Sequence, residues 1–421
     1  MDKLVINGGH VLKGEIDISG AKNAALPIIA ATLLTDEECI IKNVPDLKDI
    51  STMQKIFEYL GVKLRREKDV LVRESGSYNE TTAPYDIVST MRASICVLGP
   101  LLAKKSKANV SFPGGCVIGP RPIDLHLKGL RALGADISVE EGYIIANTKQ
   151  LKGKDIYLGG HFGSSVLATA NLIMAATLAK GTTVIHNAAA EPEIQDLGNF
   201  LLKMGAQIQG IGAHTITIQG VKKLHGAQHT IIPDRIETGT YMAAAAITNG
   251  DLLLRNTAPS DIMAITDKFR EIGCLVDIDQ NTIRIRRKNK MLKAGAVTTL
   301  TYPGFPTDMQ AQIMSLLSIS PGISVITEKI YPERFIHISE LNRLGANIIL
   351  EGCNAIVKGV KSLSGTDVMA SDLRASAALI LAGLVARGKT TVHRVYHLDR
   401  GYENLEKKLK AVGADIKREK E

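Results

Sequence analysis

The stretch DIYLGGHFGSSVLATANLIMAATLAKGTTVIHNAAAEPEIQDLGNFLLKMGAQIQGIGAHTITIQG (155–220) reads as one folding unit. DIYLGG is a short strand. SSVLATANLIMAATLAKG (164–181) is an Ala-rich, almost wholly apolar helix, opened by Ser and closed by Gly181. TTVIHNAA is β-branched and extended. EPEIQDLGNFLLKMGA carries Pro192 near a helix start and apolar Ile194, Leu197, Leu201 and Leu202 at helical spacing. QIQGIGAHTITIQG alternates as a hairpin. The order is β-α-β-α-β-β. The first helix, apolar all round, belongs in a core, whereas the amphipathic second should face solvent.

The same unit recurs outward in both directions. Its most regular mark is an amphipathic run closed by Gly, one small or apolar residue and a short strand. The copies are MQKIFEYLGVKL (53–64), LKGLRALGADI (127–137), LGNFLLKMGAQI (197–208), ITDKFREIGCLV (265–276), ISELNRLGANI (338–348) and LEKKLKAVGADI (405–416). Their glycines, Gly61, Gly134, Gly205, Gly273, Gly345 and Gly413, stand 68 to 73 residues apart. A spacing this steady marks a repeated supersecondary unit. The other apolar helices are ALPIIAATLLT (25–35), ASICVLGPLLAKK (93–105), TGTYMAAAAITNG (238–250), MQAQIMSLLSISPG (309–322) and RASAALILAGLVARG (374–388). Three units can bury three such helices against one another with the sheets outside, which gives an α/β (α+β) chain of two similar domains. The last unit stops after one strand and the first begins with an extra strand, KLVING. The N-terminal strand is therefore expected to complete the last unit. Domain one would span 22–232, and domain two would be discontinuous, 1–21 with 233–421, joined by a double-crossing hinge.

With 421 residues and 45% apolar content the chain can build two cores, and with 4% aromatics and no Trp those cores must be aliphatic. The apolar run around 93–103 is interrupted by Gly99 and Pro100 and is too short to span a membrane. MDKLVINGGH has no apolar leader core, and five cysteines suggest no disulfide framework, so a cytoplasmic protein is expected. The net charge of +8 admits nucleic acid, yet RIRRKNK (284–290) lacks the interleaved aromatics of single-strand binders and reads as a solvated face. A small anionic substrate held by dispersed cations fits better.

The residues before each apolar helix are polar: SGAKN (19–23), STMRAS (89–94), Ser164–Ser165, PDRIETG (233–239), FPTDMQ (305–310) and SDLRAS (371–376). Helix N-termini offer free N–H groups and a positive dipole end. Capping accounts for Ser89 and Ser371. It accounts poorly for Lys22, Arg92 and Arg374, since a cation there is unfavourable without an anion. A second outlier is SFPGGCVIGPRPIDLH (111–126), too rich in Gly and Pro for regular structure. Its Cys116, with Arg121 nearby, suits an acid, base or nucleophile. Cys39, Cys96, Cys274 and Cys353 read as buried structural thiols. GLVARGKT (383–390) matches a phosphate loop in letters only, because a helix precedes it and a strand follows. The pairs His225/His229 and His393/His397 lack a ligand cluster and read as surface or strand histidines, so no metal site is expected.

On SGAKNAALP (19–27), TMRAS (90–94), PGGCVIGPRPIDLH (113–126), PDRIETGT (233–240), FPTDMQAQ (305–312), DLRASA (372–377) and DRGYE (399–403), the chain resembles the UDP-N-acetylglucosamine enolpyruvyl transferases over its full length. The resemblance implies two inside-out α/β domains, each of three βαβαββ units. It implies transfer of the enolpyruvyl group of phosphoenolpyruvate to the 3′-hydroxyl of UDP-N-acetylglucosamine with release of phosphate, the first committed step of peptidoglycan synthesis, with no metal or organic cofactor. By the same resemblance Lys22, Arg121 and Arg400 hold the phosphate, and Arg334 and Arg374 the carboxylate. Cys116 protonates C3 and is the residue fosfomycin would alkylate. Asp308 is base or proton relay at the 3′-hydroxyl and contacts the sugar with Asn23. Arg92, Arg121, Pro122, Ile123, Asp124, Leu125, Ser165, Val166 and Ile330 line the UDP-sugar site. Where relatives read SVGAT this chain has Leu167 in place of Gly. Two other readings stay open: the sibling 5-enolpyruvylshikimate-3-phosphate synthase, and a basic ring-like DNA clamp without chemistry.

Overall fold

The computed structural model describes residues 2–113, 123–160, 163–289 and 291–420. The described residues form six four-stranded sheets. The 155–220 unit shows the plan. Asp155–Tyr157 runs parallel to Thr182–His186, which pairs antiparallel with Thr215–Gln219, and Gln207–Gln209 closes the edge. Register puts Ile156, Ile185, Ile216 and Ile218 on one buried face, as alternation requires. Val166–Ala176 packs as the inner helix and is buried on every side from Ala168 to Ala176. Each of the six repeat glycines follows its amphipathic helix with positive φ, from +78° at Gly61 to +106° at Gly413. That left-handed turn is open to Gly at little cost, and it explains the sequence period.

The chain divides into two compact units, one holding residues up to Ser19 with those from Pro233 onward, the other running from Gly20 to Ile232. Each has its own aliphatic core. In the unit ending at Ile232, the late strand Gln228–Thr230 pairs parallel with the early strand Cys39–Lys42. In the other, Lys13–Asp17 pairs parallel with Asp251–Arg255, and Asp2–Asn7 lies antiparallel between Lys389–His393 and Asp415–Lys420. Asp2–Asn7 thus fills the strand position the last repeat lacks.

Three local expectations change. The run 93–105 is not one helix: a 3-10 segment, Arg92–Val97, leads into the α-helix Leu98–Lys105. Pro100 is accommodated in the first turn, where its missing N–H is not needed. Gly99 lies so close to the inner helix that a Cβ would stand 2.4 Å from the Asn171 carbonyl oxygen. The amphipathic helix Pro192–Lys203 buries most of its surface, including Glu193 and Asp196, because it packs against Lys22–Ala31. Capping falls on Ser165, Asp234 and Asp372, which each stand at the residue before an inner helix and accept its first N–H groups. Ser89 instead ends the short helix Tyr85–Val88, and the Ser371 hydroxyl turns to Asp372.

Candidate active site

Two of the sequence-selected cations sit on helix starts and meet carboxylates of their own unit. In the Gly20–Ile232 unit, Lys22 opens Lys22–Ala31 and its Nζ lies 3.0 Å from Asp49 Oδ2. Both are buried. Asn23 follows in the same turn, half-buried. Arg92 opens its 3-10 segment, half-buried, and its charge reaches His126. Burial, and then Arg92, push the His126 imidazole down to about 3, so it is neutral and hydrogen-bonded through Nδ1 to Asn171 at 2.9 Å. Ile123 and Leu125 are buried around the start of Asp124–Ala132, while Asp124 is exposed. Ser165 accepts from the Ala168 N–H at 3.3 Å, and Val166 is half-buried. Leu167 packs against the core. Cys116, Arg121 and Pro122 lie outside the described residues.

In the other unit, a short 3-10 turn, Thr307–Met309, precedes the inner helix Gln310–Leu317 and presents Asp308. One Asp308 oxygen accepts from Arg334 Nη1 at 2.8 Å and the other from Arg374 Nη2 at 2.9 Å. The guanidiniums are 6% and 3% exposed and the carboxylate 27%, so the acid is the accessible member of the three. Burial opposes ionisation of Asp308, but Arg374 and Arg334 outweigh it and hold its pKa well below the usual carboxylate range. Burial likewise opposes the charge on Arg374, and Asp308 reverses that effect, raising its pKa. Two guanidiniums share one carboxylate, and Asp234 also favours the charge on Arg374. Among the described residues, Arg374 Nε and Nη1 are buried without a hydrogen-bond acceptor.

Neighbouring groups fix the trio. Asp372 caps Leu373–Gly383 by accepting from the Arg374 and Ala375 N–H groups at 2.9 and 3.1 Å. The Tyr402 ring lies 5.3 Å from the Arg374 guanidinium carbon, and its hydroxyl meets Thr240 at 2.8 Å and Gln312 at 3.1 Å. The buried His337 is lowered to about 4 by burial, with Arg334 adding to the effect and Asp372 opposing it. Arg400 is half-buried at the end of Val395–Arg400. Ile330, also half-buried, is held by its N–H on Glu328 Oε1 at 2.8 Å.

The structure therefore brings together Asp308, Arg334 and Arg374, and pairs Lys22 with Asp49. Sequence reasoning missed Asp49, Glu328 and His337, which lie in ordinary-looking runs. It also placed His229 among surface or strand histidines. His229 is buried within its strand, with Nε2 on Asp196 at 2.7 Å and Nδ1 against Lys203 at 3.2 Å. Cys39, Cys96 and Cys274 are buried, but Cys353 sits in a turn and is partly exposed. GLVARGKT runs from the inner helix into Lys389–His393, the reverse of a phosphate loop.

In each unit, apolar inner helices lie under four-stranded sheets, the architecture of the enolpyruvyl transferases. The enolpyruvyl transferase NikO from Streptomyces tendae has this fold: its crystal structure superposes with a TM-score of 0.89 over 99% of this chain and 98% of that one, at 24% identity. The chain belongs to the EPSP synthase (3-phosphoshikimate 1-carboxyvinyltransferase) family, whose model matches residues 6–409. Within it, the chain is 53% identical to the UDP-N-acetylglucosamine 1-carboxyvinyltransferase of Methylacidiphilum infernorum over 418 residues, covering 99% of both chains. It is 54% identical to the enzyme of that name from Granulibacter bethesdensis over 421 residues, again covering 99% of both. No helix among the described residues is long and apolar enough to cross a membrane.

Proposed function

We propose that this chain transfers the enolpyruvyl group of phosphoenolpyruvate to the 3′-hydroxyl of UDP-N-acetylglucosamine, releases phosphate, and so commits the sugar to peptidoglycan synthesis in the cytoplasm. The observation that carries the reading is the Arg334–Asp308–Arg374 trio in a chain sharing more than half its residues, end to end, with enzymes of that name. Phosphoenolpyruvate carries a carboxylate and a phosphate, and paired guanidiniums suit a planar carboxylate.

The reaction adds the sugar oxygen to C2 as a proton goes to C3, and the tetrahedral intermediate then loses a C3 proton as phosphate leaves, which restores the carbon–carbon double bond. Arg334 and Arg374 receive the carboxylate in this reading, while Lys22, Arg121 and Arg400 take the phosphate. Cys116 supplies the C3 proton. Asn23 and Asp308 hold the sugar, and Asp308 takes or relays the hydroxyl proton. Its depressed pKa matters here: fully paired, it is a weak base. Once a substrate carboxylate draws on the two guanidiniums, Asp308 loses part of that stabilisation and its basicity rises toward the ordinary carboxylate value. Arg92, Pro122, Ile123, Asp124, Leu125, Ser165, Val166 and Ile330 complete the UDP-sugar contacts.

The test is phosphate release from phosphoenolpyruvate with UDP-N-acetylglucosamine or shikimate 3-phosphate as acceptor, with and without fosfomycin. Release with the nucleotide sugar alone, abolished by fosfomycin with added mass on the Cys116 peptide, is the expected result. Release with shikimate 3-phosphate alone would transfer the reading to the sibling reaction.

A further inference from the structure

Glu328 is fully buried and lies in none of the motifs that carry the resemblance. Its Oε1 accepts from the Thr299 hydroxyl at 2.6 Å and from the Ile330 and Tyr331 N–H groups at 2.8 and 3.0 Å. Its Oε2 accepts from the Thr307 hydroxyl at 2.9 Å. Burying a full charge is unfavourable unless its lone pairs are used, and here four donors converge on it. What a carboxylate offers that an amide does not is acceptance at both oxygens with no proton to donate.

That difference reaches the substrate clamp through one hydroxyl. Arg334 Nη1 donates to Thr307 Oγ1 at 3.0 Å and to Asp308 Oδ1 at 2.8 Å. A guanidinium cannot accept, so Thr307 must take that bond on a lone pair and send its single proton elsewhere. Glu328 Oε2 receives it. The Arg334 carbonyl oxygen is held separately by Gln310 Nε2 at 2.9 Å. We infer that Glu328 is a positioning residue that sets the donor direction of Thr307 and thereby fixes the Arg334 guanidinium in the orientation that receives the substrate carboxylate. The inference rests on the proposed role of Arg334 in phosphoenolpyruvate binding.

Glu328→Gln separates this role from support of the loop. Its amide oxygen can keep the three donors now on Oε1. Its NH₂ then faces Thr307, which receives two donors and loses the acceptor for its own proton. The experiment is steady-state kinetics in phosphoenolpyruvate at saturating UDP-N-acetylglucosamine for Glu328→Gln, Thr307→Val and the double variant, with thermal melting of each. Glu328→Gln is expected to melt near the wild type, to raise KM for phosphoenolpyruvate and to lower kcat/KM roughly tenfold to a hundredfold. KM for the nucleotide sugar should stay near its wild-type value. The double variant should be no worse than Thr307→Val alone, since one hydroxyl carries the effect.

Wild-type phosphoenolpyruvate kinetics in Glu328→Gln, or losses that multiply in the double variant, would overturn the inference. Should Glu328→Gln not fold, Thr307→Ser against Thr307→Val decides: serine keeps the hydroxyl and should restore the KM that valine loses, and equal KM values overturn the inference. Absence of wild-type turnover with either acceptor would remove the functional reading, and the inference with it. That outcome is distinct from normal turnover with an indifferent Glu328→Gln.

Discussion

The two cation sites differ in where the answering carboxylate stands. Lys22 meets the Asp49 carboxylate, and both side chains are buried. Arg334 and Arg374 share one carboxylate, Asp308, which is the more exposed member. The first arrangement holds a cation in place. The second places its shared anion at the accessible side, where an incoming carboxylate would compete with it.

Asp308→Asn is the most severe way to break that contrast. Turnover should fall roughly a hundredfold to ten-thousandfold as the base is lost. Phosphoenolpyruvate should nevertheless bind more tightly in the absence of UDP-N-acetylglucosamine, because the competing charge is gone. Titration calorimetry reads the second effect, and weaker binding would mean that Asp308 assists the anion rather than rivals it. Arg374→Met should lower kcat/KM roughly a hundredfold to a thousandfold, as loss of one preorganised charge partner does. Kinetics against both substrates would show whether the loss follows phosphoenolpyruvate.

The Lys22 site is sharpened by stability. Asp49→Ala strands a buried ammonium and should cost about 3 kcal/mol in denaturant unfolding. Lys22→Met combined with Asp49→Leu should recover most of that stability while remaining inactive. If the double variant is no more stable than Asp49→Ala, the loss does not come from the stranded Lys22 charge.

The last effect concerns His337, beside the trio. Its folded pKa, lowered to about 4 by burial, lies below the unfolded value near 6.5. Between those values the unfolded chain binds the proton and the folded chain does not. The neutral form therefore favours the fold fully above pH 6.5, and that contribution is lost as pH falls toward 4, by about 3 kcal/mol. His337→Asn should flatten this part of a stability–pH curve measured by denaturant unfolding. Asp308 titrates lower still: its contribution is present above the ordinary carboxylate range and is lost as pH falls through its depressed value.

The repeat and its inner helices were legible because they rest on local rules. A left-handed glycine ends each amphipathic helix, and an apolar surface on every side cannot stay in water. The cations at the helix starts were legible because positive charge there contradicts the helix dipole. Asp308 was named from its motif, but its pairing with the two arginines was not legible, nor was Asp49 at all. Asp49 lies 27 residues from Lys22, and Asp308 lies 66 from Arg374. Only the fold brings such partners together, and Asp49 in NVPDLKDI carries no sign of it. Glu328 was hidden for the same reason, since its four donors come from Thr299, Thr307 and its own loop. Burial of Glu193 and Asp196 escaped the amphipathic pattern because another helix covers the side that polarity assigns to water.

The N-terminal segment has a consequence for biosynthesis. Asp2 pairs with Lys420, and Asn7 with both Lys389 and Asp415. On the ribosome, Asp2–Asn7 must therefore wait unpaired until nearly all of the chain has been translated. Gly20–Ile232 finds every strand partner within its own span and can finish beforehand. A nascent chain arrested shortly after Ile232 emerges should thus display one completed unit bearing two unpaired strand segments, Asp2–Asn7 and Lys13–Asp17, at its amino end, available to chaperones or to the matching strands of a neighbouring polypeptide.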